Sequence, residues 1–203
     1  MLFETFIDGA DTGLGRPPTD ERVADRETVR RMAEGDPEAL AAAYDQHICA
    51  VFGLAMRVLQ DQAEAEHVVQ QVFSQAWTQA NRYDATRASA ASWLLMITRS
   101  RAIDRLRAGR AKTDSVPHSH EMAVIELPDP ALGAEHGFLT AESVQRLRAA
   151  LTSLPPIQRV AIELAYFEGL TQTQISEWLE QPLGTIKTWI CTGLLKLRKA
   201  MQT

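Results

Sequence analysis

Cysteine is almost missing from this chain of 203 residues: there are two, Cys49 and Cys191, far apart. A disulfide framework and a cysteine-rich metal site are both excluded, since each needs a clustered set at defined spacing. The two thiols are read as reduced, small and packed. The five histidines supply no ligand set either. His118 and His120 have no partner at a ligand spacing, while His47 and Cys49, two apart on a helix, point in different directions. No metal and no cofactor are expected. Glycine-based hairpin signals and alternating β-branched runs are also missing, whereas alanine, leucine, glutamine, glutamate and arginine abound. The chain is therefore expected to be all-α. No apolar run approaches the roughly 18 residues that cross a bilayer. Residues 1–13 are acidic and lack the apolar core of a secretory signal. These absences point to a cytoplasmic protein without membrane insertion.

Net positive charge is lacking too, at −5 overall, which at first argues against nucleic acid. Its distribution says otherwise. Residues 1–24 and residues 110–140 each carry −3, residues 25–109 carry −1, and residues 141–203 carry +2. The acid is concentrated outside the two helical blocks. Arg99, Arg101, Arg105, Arg107 and Arg110 crowd one segment opposed only by Asp104, a basic stripe of the kind phosphates attract.

Punctuation divides the chain into four parts. Residues 1–24, with Gly9, Gly13, Gly15, Pro17 and Pro18 among acids, form a mobile arm. Residues 25–109 form a first domain of four helices. The first is short, from Glu27 to Glu34, and stops at Gly35. Asp36 caps the second, with Pro37 at its first position. Leu40, Tyr44, Ile48, Val51, Ala55, Val58 and Leu59 mark its buried side. The third runs from Ala63 to about Asn81 with an apolar stripe of Val68, Val69, Val72, Phe73, Ala76 and Trp77. After a loop, Ser89 caps a fourth helix reaching about Ala108, with Trp93, Leu94, Ile97, Ile103 and Leu106 inward. Residues 110–140, rich in Pro and Gly and without a sustained period, read as an interdomain linker. Residues 141–203 form a second domain, also of four helices.

The last two helices of that domain carry the sharpest pattern. Thr171 and Gln174 have the spacing of a capping box. Ile175 and Leu179 give an i, i+4 stripe. Gln181 and Pro182 break the helix, and Pro182 suits the start of the next. Ile186, Ile190, Leu194 and Leu197 then bury one face, leaving Thr185, Lys187 and Thr188 near the N-terminal end. A short helix, a turn and a longer helix with polar residues at its start is the layout that places a recognition helix in a major groove. An ordinary helical hairpin has the same outline.

Several segments, in order, resemble the extracytoplasmic-function sigma factors of the sigma-70 family. Gly35-Asp36-x-Glu38-Ala39-Leu40 resembles the family's opening. Residues 65–73 resemble its polymerase-docking helix. Trp93-Leu94 followed by Arg101-Ala102-Ile103-Asp104-x-Leu106-Arg107 resembles the helix that engages the −10 element. Leu154-Pro155 with Arg159, then residues 166–171 and 184–187, resemble its −35-binding domain. The resemblance spans about residues 27–109 and 141–201. It implies two small helical domains, sigma region 2 and sigma region 4, joined by a flexible linker.

It also implies partners: core RNA polymerase, promoter DNA and an anti-sigma factor, with a free chain that is monomeric. Core polymerase would be met by Asp61, Glu64, Glu66, Gln70 and Phe73. The −10 element would be held by Asn81, Tyr83, Arg87 and Ser89 around a flipped base, and by Arg99, Arg101, Arg105 and Arg107 on phosphates. The −35 element would meet Pro182, Thr185, Lys187 and Thr188. The sequence departs from the family at four places: His67 and Gln71 where acids are usual, Gln174 where Glu is usual, and Trp189 where Arg is usual. The implied function is promoter-directed transcription initiation without catalysis by the chain itself. A sigma-like protein that titrates an anti-sigma factor or polymerase is the alternative. A conventional helix-turn-helix repressor would leave the arginines and the docking-like helix without a purpose.

Overall fold

The computed structural model describes residues 20–113 and 141–202, so the expected linker over 110–140 lies largely outside the described residues. Among the described residues there are eight α-helices: α1 (Asp20–Ala33), α2 (Pro37–Leu59), α3 (Gln62–Gln79), α4 (Ala90–Thr113), α5 (Ala141–Ser153), α6 (Pro156–Tyr166), α7 (Gln172–Trp178) and α8 (Leu183–Gln202). A 3-10 turn, Ala80–Arg82, follows α3. The chain divides into two compact units, residues 1–102 and 103–203. The division falls inside α4, not in the segment expected to be the linker.

In the first unit α1 begins at Asp20, seven residues before the expected Glu27 and within the expected arm. Val29 and Met32 bury its inner face. Gly35, at φ +85°, allows the sharp exit that only glycine adopts without strain. Asp36 then caps α2 by accepting from the Glu38 amide. Its carboxyl sits below the usual carboxylate range, chiefly through the Arg31 guanidinium, which donates to it at 2.8 Å.

The buried face of α2 is not quite the expected one. Ala39, Ala43, His47, Val51, Ala55 and Val58 point inward, while Leu40 and Ile48 are half-buried and Tyr44 is 43 % exposed. Small alanines let α2 approach α1 and α3 closely, and the larger side chains are displaced to the margins of those contacts. α2 is also long and apolar enough to cross a membrane by length and composition, contrary to the expectation from the sequence. Leucine, valine, isoleucine and phenylalanine supply most of that apolarity, and Ala39, Ala43, Val51, Ala55 and Val58 line the buried side of α2.

His47 is buried where α1, α2 and α4 meet, beside a small cavity lined by Asp25, Thr28, Val29, Met32, Ala90 and Trp93. Burial pulls its pKa down, with Asp25 opposing. Gln46 donates to Asp25 at 2.9 Å, a second polar tie between α1 and α2.

In the second unit Leu151, Leu154 and Ile162 form a core against which Leu194 and Leu197 of α8 pack. Ile175 and Ile186 are both 0 % exposed and join α7 and α8 to it. Gly193 sits so close to α6 that an added Cβ would meet Ile162 Cδ1 at 2.6 Å. Both cysteines are exposed, which corrects the expectation that they pack: Cys49 and Cys191 lie on the outward sides of α2 and α8.

Candidate nucleic-acid and polymerase interfaces

The helix-turn-helix forms as its residue types require. Thr171 Oγ1 accepts from the Gln174 amide at 3.2 Å, and Gln174 Oε1 accepts from the Thr171 amide at 2.8 Å. Gln174 thus fills the acceptor role that a glutamate plays in a capping box. α7 ends at a turn in which Glu180 takes a left-handed conformation, φ 52°. The Gln181 amide donates to Ser176 O, and Ser176 Oγ returns a hydrogen bond to Gln181 O. Pro182 stands one position before α8 rather than at its first residue, and its carbonyl accepts from Thr185 and Ile186.

From there the exposed side of α8 is clear. Pro182, Lys187 and Thr188 are exposed and Thr185 is half-buried. Thr188 Oγ1 donates to Gly184 O at 2.9 Å. Its proton is therefore used within the helix, and outward it presents a methyl group and an acceptor oxygen. The first backbone amides of a helix lack intrahelical acceptors and carry the positive end of its dipole, which suits a phosphate. Trp189 is half-buried. Trp178 of α7, 42 % exposed, went unnoticed in the sequence, because nothing in a seven-residue helix distinguishes an outward Trp from an inward one.

The loop 81–89 is built from side chains. Asp84 Oδ1 accepts from the Thr86 amide at 2.9 Å and the Thr86 hydroxyl at 2.7 Å. These bonds, helped by nearby Arg26, hold the Asp84 carboxyl below its usual range. Tyr83 donates its hydroxyl to Ala88 O at 2.9 Å, and its ring lies 5.2 Å from that of Trp93. Ser89 Oγ accepts from the Ser92 amide and donates to Ser92 Oγ, capping α4 as expected. Two of the expected base-reading groups, Tyr83 and Ser89, are thus engaged inside the protein and half-buried. Asn81 and Arg87 are exposed, as is Arg82, which the sequence did not single out.

The arginines of α4 do not form one stripe. At 100° per residue, Arg101 and Arg105 share one side, while Arg99, Arg107 and Arg110 share another. Arg101 is exposed and its Nε donates to Gln75 of α3 at 2.8 Å. Arg99 and Arg105 are half-buried. Within the second unit, Arg107 donates twice to Gly169 O, at 3.1 and 2.8 Å, and Arg110 donates to the Glu168 carbonyl and carboxylate. In this arrangement Arg107 serves the protein rather than a phosphate. Spacing alone suggested a stripe because five arginines in twelve positions look continuous until they are wound on a helix.

On α3, Glu66, His67 and Gln70 are exposed and Glu64 is half-buried. Asp61 is the N-cap, accepting from the Glu64 amide at 2.9 Å. Gln71 and His67 pair through their Nε2 atoms at 3.0 Å. Phe73 is 5 % exposed, beneath Tyr44 with ring centroids 4.8 Å apart, so it seats α3 and does not reach the surface.

Two family models match the chain: "Sigma-70 region 2" over residues 43–112 and "Sigma-70, region 4" over residues 144–197. The two-unit, helix-turn-helix-bearing chain is thus of the sigma-70 class. Over 173 residues it is 36 % identical to an ECF RNA polymerase sigma factor SigK of Mycolicibacterium vanbaalenii, covering 85 % of this chain and 87 % of that one. A SigK of Mycobacterium tuberculosis is 34 % identical over 174 residues, with 85 % and 91 % covered. Among solved structures, CnrH in complex with the cytosolic domain of CnrY aligns at 20 % identity with a TM-score of 0.40, covering 88 % of this chain and 97 % of that one. The chain belongs to the extracytoplasmic-function RNA polymerase sigma factors. Such a factor binds core RNA polymerase and directs it to promoters.

Proposed function

We propose that α8 reads the −35 element and that the loop 81–89 holds an unpaired −10 base, while the exposed face of α3 docks on core polymerase. The observation that carries this reading is the pair of exposed polar sets at the start of α8 and in the loop, each on a rigid support. Lys187 and the N-terminal turn of α8 meet phosphate, and Thr185 and Thr188 meet base edges. Asn81 and Arg87 offer hydrogen-bond donors to a splayed base, and Arg101 and Arg105 lie along the strand. Glu64, Glu66 and Gln70 supply the docking contacts, Asp61 acts as the cap that starts that helix, and Phe73 supports it from below.

The chain makes and breaks no covalent bond in this scheme; polymerase performs the chemistry, in the cytoplasm. An anti-sigma factor holds the chain inactive, the regulation that its membership of the extracytoplasmic-function family implies. Run-off transcription with core polymerase on genomic promoter fragments tests the scheme. Stimulated, promoter-selective transcripts are expected, and their absence with every core enzyme tried sinks it.

One observation favours the titrant reading. The His67–Gln71 pair replaces carboxylates on the exposed face of α3 with a neutral amide and an imidazole. A charge lost from such a rim lowers on-rate and affinity. Tight anti-sigma binding together with weak core binding would decide for it.

A further inference from the structure

We infer that Tyr83, braced by Asp84, is a positioning residue that fixes the loop 81–89 in its base-accepting shape and does not itself meet DNA. The inference rests on the −10 reading above and sharpens which groups do the reading. Tyr83 spans the loop from within. Its hydroxyl ties the start of the loop to Ala88 at its end, and its ring leans on Trp93 at a 42° tilt. Trp93 in turn lines the cavity between α1, α2 and the start of α4, facing Asp25, Thr28, Val29 and Met32. α1 also packs on the 3-10 turn that carries Asn81. The loop is therefore tied to helix α1, all of which precedes the region-2 match beginning at residue 43.

Asp84 closes the other half. Two bonds to Thr86 shape the tip next to Arg87. With Tyr83 and Asp84 occupied, Asn81 and Arg87 stand outward on a backbone fixed before DNA arrives. A preformed reader loses less conformational freedom on binding, and a misplaced one forfeits discrimination.

The test uses holoenzyme assembled from core polymerase and the full-length chain. A randomised single-stranded oligonucleotide pool is selected on wild-type holoenzyme, and the enriched strand, fluorescently labelled, is the probe. Tyr83→Phe keeps the ring and removes only the hydroxyl. It is expected to bind the probe roughly 3- to 10-fold more weakly, the range of one lost hydrogen bond. Discrimination among the bases at one position is expected to flatten, while core affinity and −35 duplex binding stay unchanged. Asp84→Ala, which removes the two bonds to Thr86 and the attraction of nearby Arg26, carries the same expectation and serves if Tyr83→Phe melts early. Amide exchange over residues 84–89 should quicken in both variants while the rest of the first unit stays protected.

If Tyr83→Phe binds like wild type while Tyr83→Leu binds weakly, the ring itself stacks on the base and the positioning role is overturned. Wild-type binding by both Tyr83→Phe and Asp84→Ala overturns it as well. If wild-type holoenzyme, competent in −35 duplex binding, enriches no single strand, the −10 reading itself fails, and the positioning role falls with it.

Discussion

In the loop 81–89 the backbone is held by three side chains, those of Tyr83, Asp84 and Ser89, each bonded to a group a few residues away. In α8 the backbone is held by its own ladder and by an apolar stripe pressed on Leu151, Leu154 and Ile162. The loop spends polar side chains on its own shape, so few remain outward. The helix keeps its shape without them, so Lys187 and Thr188 stay outward. A reader built on a helix loses function mainly when its core is damaged. One built on a loop is expected to weaken already when a single hydrogen bond is removed.

The largest blow to the helix should come from its core. Ile186→Ala removes a fully buried side chain and is expected to destabilise the second unit by about 2–5 kcal/mol. Urea unfolding of the full chain should show that loss, with duplex binding failing in parallel. Retained stability would mean that α8 is not anchored there. Lys187→Ala leaves the fold alone and should weaken binding to all duplexes alike. Its signature is a salt slope reduced by about one counterion; a change in sequence preference instead would make Lys187 a base reader.

The cap comes next. Thr171→Ala opens the capping box and should cost about 1 kcal/mol, measurable as a lower urea midpoint for the second unit. Glu180→Gly should move the other way, raising stability by up to about 1 kcal/mol by relieving a left-handed backbone at a residue with a Cβ. The gentlest effect concerns the support beneath the loop. His47 is buried with a lowered pKa, so its contribution to stability is full above the ordinary histidine value of 6.5. It is lost as pH falls below that value towards the folded pKa. Thermal melts of the full chain should decline over that range, and His47→Leu should flatten the profile.

Much of this molecule was legible from residue types and spacing. The caps at Asp36 and Ser89 and the capping box at Thr171 are local geometry, decided within three residues; Asp61, expected only among the docking residues, caps α3 by the same geometry. The stripe on α8 follows a period that a helix must have. Even the Asp84–Thr86 turn has a local signature that could have been read. What escaped were choices made by distant neighbours. α1 extends before Glu27, and there Asp25 is buried and accepts a hydrogen bond from Gln46 of α2.

The sequence by itself determined where the capped helices α2, α4 and α7 start, which face of α8 is apolar, and, through the order of its motifs, the family. Those follow from short-range hydrogen bonding and from hydrophobic periodicity. Tertiary structure alone decided that α2 turns its alanines inward and leaves Tyr44 out, that Phe73 lies under it, and that Arg107 is bonded to Gly169. It also turned Tyr83 from a base-stacking candidate into a strut, because a hydroxyl commits to whichever acceptor the fold brings within 2.9 Å, and here that is Ala88.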